Sequence, residues 1–310
     1  MSADDPIALC LLGDISPEVA LTRLLLGGAS AEGIAERLHA LRPRPDTPRW
    51  QALAALVEAR RDALRGLAAE IARTGGDHAA LAGTEEGSTG NGSTGANNGV
   101  ARVAAFFDHA VGYSPEASVA LYSLGDPRIL QAATAEIVDW LEAQDLLRPG
   151  MDVLDLGCGI GRLALALAPR CRSVLGLDVS AGMVAEARRR CAALPGIRLE
   201  QTGGEDLALA GSAAFDLLLA VDSFPYIEQA GLAEPHIAEA ARVLRPGGAA
   251  VLLNLSYRCD LAADRADLHR WAAAHGLHVT LAGERPFALW DGAAFVLHRP
   301  PEPDPHPPAR

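Results

Sequence analysis

Val153-Leu154-Asp155-Leu156-Gly157-Cys158-Gly159-Ile160-Gly161-Arg162 is the stretch on which the reading of this chain turns. Its apolar first half suits a buried parallel strand, and its alternate glycines suit a tight turn that opens into a helix from Arg162. Glycines in such a turn accept positive φ and carry no Cβ to hold a ligand away from the backbone. A second apolar run, Val174-Leu175-Gly176-Leu177, ends in Asp178, 21 residues beyond Gly157. A βαβ unit brings that strand end beside the first glycine loop, where a carboxylate accepts both hydroxyl hydrogens of a ribose. The pattern implies a nucleoside-binding edge.

The kind of nucleoside follows from the spacing. A dinucleotide fingerprint, G-x-G-x-x-G, requires glycine at position 162, where Arg162 stands; the third glycine comes one residue early, at Gly161. The pattern D-x-G-x-G-x-G resembles the first motif of the class I S-adenosylmethionine (SAM) dependent methyltransferases. Two further stretches strengthen the resemblance: Phe215-Asp216-Leu217-Leu218-Leu219, similar to the family's fourth strand, and Arg242-Val243-Leu244-Arg245-Pro246-Gly247-Gly248, similar to the turn before its fifth. It covers about 150–299 and implies a doubly wound, Rossmann-like, mostly parallel seven-stranded sheet.

By that resemblance Asp178 holds the cofactor ribose, and Gly157, Cys158, Gly159 and Gly161 form its floor. Asp155 is expected near the amino end of the methionine, and Val179, Leu207 and Ala220 complete the set. The adenine is usually read just after strand three, but Thr202-Gly203-Gly204 places glycine where an acid often stands. Either Glu205 or Asp206 reaches the adenine amine, with Asp206 preferred, or the backbone alone does. At the end of strand four, Asp222 is a candidate general base or amine ligand, and Tyr226 a pocket wall; the plain alternative for Asp222 is a turn cap. Tyr113 and Ser114 are candidates for a lid, and Trp290 for the acceptor pocket, against ordinary roles in a helix entry and the core.

Lys and Arg number 27 against 39 Asp and Glu, a net charge of −12, which argues against nucleic acid and anionic membrane as partners. The five cysteines lack a CxxC pair, so neither a disulfide framework nor a structural metal site is expected, and a reducing, cytoplasmic setting is. Neither a signal peptide nor an 18-residue apolar run is visible. Arg188-Arg189-Arg190 reads as a solvated helix end.

Residues 1–73 read as an N-terminal helical segment: Pro17–Leu26, about 31–41, and one long helix from Pro48 to Arg73. Their apolar faces must pack on each other, on the catalytic domain, or on a second copy of the chain as a homodimer. Residues 74–99, rich in Gly, Ser, Thr and Asn, read as a flexible linker. Residues 100–149 read as a helical lead-in or lid, 150–299 as the SAM-binding domain, and 300–310 as a proline-rich disordered tail. The implied activity is methyl transfer to a small-molecule acceptor. A catalytically silent SAM-binding scaffold with an N-terminal interaction module is the alternative; a nicotinamide oxidoreductase ranks last because of Arg162.

Overall fold

The computed structural model describes residues 5–43, 46–73 and 93–302. Most of the expected linker and tail, 74–92 and 303–310, lies outside them. The chain forms two compact units, one helical and one built on a sheet.

The helical unit takes the chain up to Ser88 together with His109–Ile137 and Phe287–Gly292. It opens with α1 (Pro6–Leu12), α2 (Pro17–Leu26), α3 (Ala31–Ala40), α4 (Pro48–Ala59) and α5 (Arg61–Arg73). Asp5, Ser16, Ser30 and Thr47 cap the first four, each side chain accepting a backbone N–H of the first turn. Ile7, Leu21, Leu25, Ile34, Leu53 and Leu64 pack into one core. Two expectations are corrected here. A helix precedes Pro17, and the long helix expected from Pro48 to Arg73 breaks at Arg60, whose guanidinium turns to the buried Asp126 carboxylate. An ion pair with a distant residue leaves no trace in local periodicity.

Helix α6 (Ser93–Tyr113) starts inside the stretch expected to be linker, and α7 (Pro115–Val119) and α8 (Pro127–Ala143) follow. Between the last two strands, Phe287–Gly292 belongs to the helical unit. There Ser16 Oγ donates to the Leu289 carbonyl at 3.2 Å, Arg23 pairs with Asp291 at 2.5 Å, and the Glu136 carboxylate accepts the N–H groups of Ala288 and Leu289.

The sheet unit contains β1 (Asp152–Leu156), α9 (Arg162–Leu167), β2 (Ser173–Asp178), α10 (Ala181–Cys191), β3 (Ile197–Gln201) and β4 (Phe215–Val221). These are followed by α11 (Phe224–Gln229), α12 (Ala233–Val243), β5 (Leu244–Leu253), α13 (Leu261–Ala274), β6 (His278–Glu284) and β7 (Ala294–His298). The strand order is 3-2-1-4-5-7-6; β1 to β5 pair in parallel, and β7 pairs antiparallel with both neighbours. The near-continuous apolar strands are what such a sheet requires, since helices cover it. On one face Leu154, Leu156, Leu218 and Leu252 meet Ile237 and Val243 of α12 and Leu268 and Trp271 of α13.

β5 begins five residues earlier than the glycine-proline pattern suggests. Phe215 pairs with Leu244 and Leu217 with Ala249, so Arg245-Pro246-Gly247-Gly248 bulges out of the ladder. A Cβ at Gly248 would lie 2.9 Å from the Arg245 carbonyl and 3.0 Å from that of Asp216, so only glycine passes there. Arg245 itself donates to Asp216 and Asp152, and Arg172 adds a second guanidinium to Asp152, forming an ion network at the amino ends of the strands. The arginine triplet ends α10 with Arg188 and Arg189 exposed, as expected of a solvated helix end; Arg188 also donates to the Leu199 carbonyl, and Arg189 and Arg190 pair with Glu186.

Candidate active site

The order 3-2-1-4-5 reverses direction at β1 and β4, and the carboxyl ends of these strands form the crevice where open α/β sheets receive ligands. Gly157, Gly159 and Gly161 all take positive φ, at 73°, 51° and 76°. A Cβ on Gly157 would come within 2.2 Å of Ser223 Cβ, and one on Gly161 within 3.1 Å of Ala187 Cβ and Cys191 Sγ. The loop is pinned from both sides: Gly157 and Cys158 donate to the Leu177 carbonyl, and Ser223 Oγ donates to the Leu156 carbonyl at 2.5 Å. Cys158 is buried, and burial pushes its thiol well above the ordinary range, so it packs rather than reacts.

Asp178 closes β2 beside this loop. One carboxylate oxygen accepts the Gly159 N–H at 2.8 Å and the other the Ser180 N–H at 2.9 Å. Burial raises its pKa, while those N–H groups oppose the rise. Asp155 differs. It is 1% exposed, neither oxygen has a hydrogen-bond partner among the described residues, and burial pushes its pKa up to about 7, with Arg162 opposing and Asp178 adding to the shift. A buried carboxyl group left without a partner is costly and asks for an explanation.

After β3, Val179 and Val100 crowd Gly204, which stands at φ 77°. Leu207 is buried and its N–H goes to Glu239, while Arg242 donates to the carbonyls of Leu207 and Ala210, so α12 anchors this loop. Glu205 is exposed; Asp206, also exposed, accepts the Ala208 N–H within its own turn. Ala220 is wholly buried in β4.

At the tips of β4 and β5, Asp222 and Asn254 both hold positive φ, at 56° and 67°. Asn254 Nδ2 donates to Asp222 Oδ1 at 2.7 Å, and its Oδ1 accepts the Ala293 N–H at 2.8 Å, which orients the amide. The Tyr257 hydroxyl donates to the Asp222 carbonyl at 3.3 Å. Tyr226 lies edge-to-face with Tyr257 at 5.5 Å and with Phe107 at 5.3 Å; Phe106 continues the series at 5.2 Å from Phe107. Burial pushes the Tyr226 hydroxyl up to about 12, the side-chain interaction with Tyr257 opposing, so it stays protonated. From α6, the Asp108 carboxylate accepts Ser180 Oγ–H at 2.6 Å and the Gly182 N–H at 2.8 Å.

Asp155, the three glycines, Cys158, Asp178, Val179, Glu205, Asp206, Leu207, Ala220, Asp222 and Tyr226 thus all fall within the sheet unit, and Tyr113, Ser114 and Trp290 within the helical unit. Ser114 caps α7, and Tyr113 is 48% exposed. Trp290 is buried, stacked on Phe287 at 5.2 Å and Tyr122 at 6.1 Å. Sequence reasoning missed Asn254, Tyr257, Phe107 and Asp108; the -Leu-Asn-Leu-Ser-Tyr- run past strand five was their nearest signal. Among the described residues no group of three or more His, Cys, Asp and Glu side chains could hold a metal, and no helix is long and apolar enough to cross a membrane.

Residues 153–248 match the model of a family described as a methyltransferase domain. The trans-aconitate 2-methyltransferase of Methylobacterium nodulans is 35% identical over 163 residues, 52% of this chain and 55% of that protein. The S-adenosyl-L-methionine-dependent Diels-Alderase iccD of Talaromyces variabilis is 33% identical over 140 residues, 44% of this chain and 46% of that protein. The chain therefore spans about half the length of these curated relatives. A structure of the magnesium protoporphyrin IX methyltransferase of Synechocystis PCC 6803 with bound SAM has a TM-score of 0.50 and 20% identity, covering 69% of this chain and all of that one; it shares the fold. The match thus lies within the sheet unit, where residues 153–248 correspond to a methyltransferase domain.

Proposed function

We propose that the chain is a SAM-dependent methyltransferase acting on a small molecule. The observation that carries this reading is Asp155: a buried carboxyl group without a hydrogen-bond partner among the described residues, beneath a glycine loop, suits a cofactor ammonium group. The remaining residues fit the same cofactor. Each Asp178 oxygen keeps a second lone pair for a ribose hydroxyl. Gly157, Gly159 and Gly161 leave the floor bare, and the loop after β3 faces the adenine side.

Bound SAM supplies a methyl group on a positively charged sulfur. Asp178 would hold the cofactor's ribose and Asp155 its ammonium group, and the tips of β4 and β5 border the same edge of the sheet. Asp222, oriented by Asn254, is placed there to take a proton from an acceptor hydroxyl or amine. With SAM bound, the acceptor lone pair would take the methyl group, the sulfur would keep the electrons of the broken bond, and Asp222 would accept the acceptor's proton. Alignment in such a displacement is worth on the order of 7–11 kcal/mol at best, and a base about 10²–10⁴-fold. The trans-aconitate relative supports a small-molecule acceptor. The Diels-Alderase supports a second reading, in which the cofactor is bound without transfer.

Titration calorimetry with SAM and with NAD(P) tests the cofactor; absence of heat from SAM, or Asp178→Ala and Asp155→Asn binding it as well as the native protein, overturns the reading. Labelled SAM with a metabolite extract separates transfer from silent binding.

A further inference from the structure

The geometry points to the acceptor: an aryl-alkylamine, its ring held against Tyr226 and Tyr257 and its amine at Asp222. This rests on the preceding reading and extends it to the acceptor class. Aromatic residues make up only 5% of the chain, yet two of its four tyrosines and two of its six phenylalanines form one connected series here. All four rings are half-buried.

The charges around the series select among ring-bearing ligands. Asp222 stands at the tip of β4 four residues before Tyr226, and its carbonyl accepts the Tyr257 hydroxyl, so its carboxylate is the acid set beside these rings. Asn254 presents its N–H₂ to Asp222 because its oxygen is committed to the Ala293 N–H, which fixes the direction of the carboxylate. Two left-handed, non-glycine residues side by side are unfavourable, and persist where surrounding structure over-determines them. Here the Asp222 N–H, carbonyl and carboxylate are each held, by Leu253, Tyr257 and Asn254. A fixed carboxylate beside electron-rich ring faces attracts a cation and repels an anion. An amine also has the lone pair that methyl transfer needs once Asp222 has taken its proton. A polycarboxylate such as trans-aconitate would meet like charge.

The test uses protein saturated with S-adenosylhomocysteine and two probes sharing one ring, tyramine and 4-hydroxyphenylpropionate, with binding followed by calorimetry and by ligand-observed NMR. Tyramine is expected to bind at least about tenfold more tightly, since a charge-assisted hydrogen bond contributes about 1.5–3 kcal/mol. Asp222→Asn is expected to erase that preference while leaving S-adenosylhomocysteine affinity within about twofold, and Tyr257→Leu to weaken both probes. Equal or tighter binding of the carboxylate, or no binding of either probe to the loaded protein, overturns the assignment. Failure to load S-adenosylhomocysteine would instead overturn the cofactor reading on which it rests.

Discussion

Asp155 stands in the interior with a carboxyl group that no neighbour receives, surrounded by Arg162 of α9, Asp178 of β2, and the thiols of Cys158 and Cys191. Its pKa rises from 3.8 to about 7, so the cofactor-free folded chain keeps a proton that the unfolded chain loses at lower pH. The stability this group contributes is complete below the ordinary carboxylate range and is lost as pH rises through about 7. Asp155→Asn should therefore melt higher than the native protein at pH 8 and alike at pH 4, as read by scanning calorimetry without cofactor. Cofactor binding at pH 6 should expel the proton, making the measured heat depend on the ionisation enthalpy of the buffer. A buffer-independent heat for the native protein would refute the linkage. The sequence identified this aspartate by its place in a motif; its lack of a partner is a property of the packed loop and left no sign in the residues around it.

Among the elements, the glycine loop and the bulge of β5 use the same backbone conformation for different reasons. Gly157 at φ 73° faces Ser223, whereas Gly247 at φ 82° has open space around it. Gly247→Ala should lose only the left-handed penalty of about 1–2 kcal/mol. Gly157→Ala adds an overlap with Ser223, raising the loss to roughly 2–5 kcal/mol, and should also weaken SAM binding. Urea denaturation of the two variants measures the difference; equal midpoints would contradict it. Strands β1, β2 and β4 were legible in the sequence as largely apolar runs, and β3 by Ile197 and Leu199 alternating with polar residues. The start of β5 was not, because proline and two glycines read as a turn although the ladder resumes at Ala249 and had already begun at Leu244. Asn254, Tyr257 and Phe107 escaped notice for another reason: each is unremarkable locally, and only the meeting of α6, α11 and the tip of β5 makes them a set.

Over the whole molecule, the edges of the sheet divide their work. The carboxyl edge gathers carboxylates with few counter-ions, while the amino edge neutralises Asp152 and Asp216 with Arg172 and Arg245. Hydrogen bonds from Arg172 hold the Asp152 carboxyl well below its usual range, outweighing its burial, and Ser173 and Arg245 add to the effect. A group lowered in this way stabilises the fold above the unfolded-state pKa and ceases to do so as pH falls through the folded one. Asp152→Asn should thus lower the melting temperature at pH 7, with the gap narrowing below about pH 4; a gap constant across that range would exclude the network as its source.

The six residues Phe287–Gly292, which lie between β6 and β7, carry a consequence for how this gene can be cut. Leu289 and Asp291 are clasped by Ser16 and Arg23, some 270 positions earlier in the chain. A breakpoint in the glycine- and asparagine-rich tract, which the composition invites, would part these partners. Residues 93–302 produced alone should aggregate, and co-production with 5–73 should restore solubility. The inviting seam in the text is not a seam in the folded body, and a recombinant built on it would inherit a torn half.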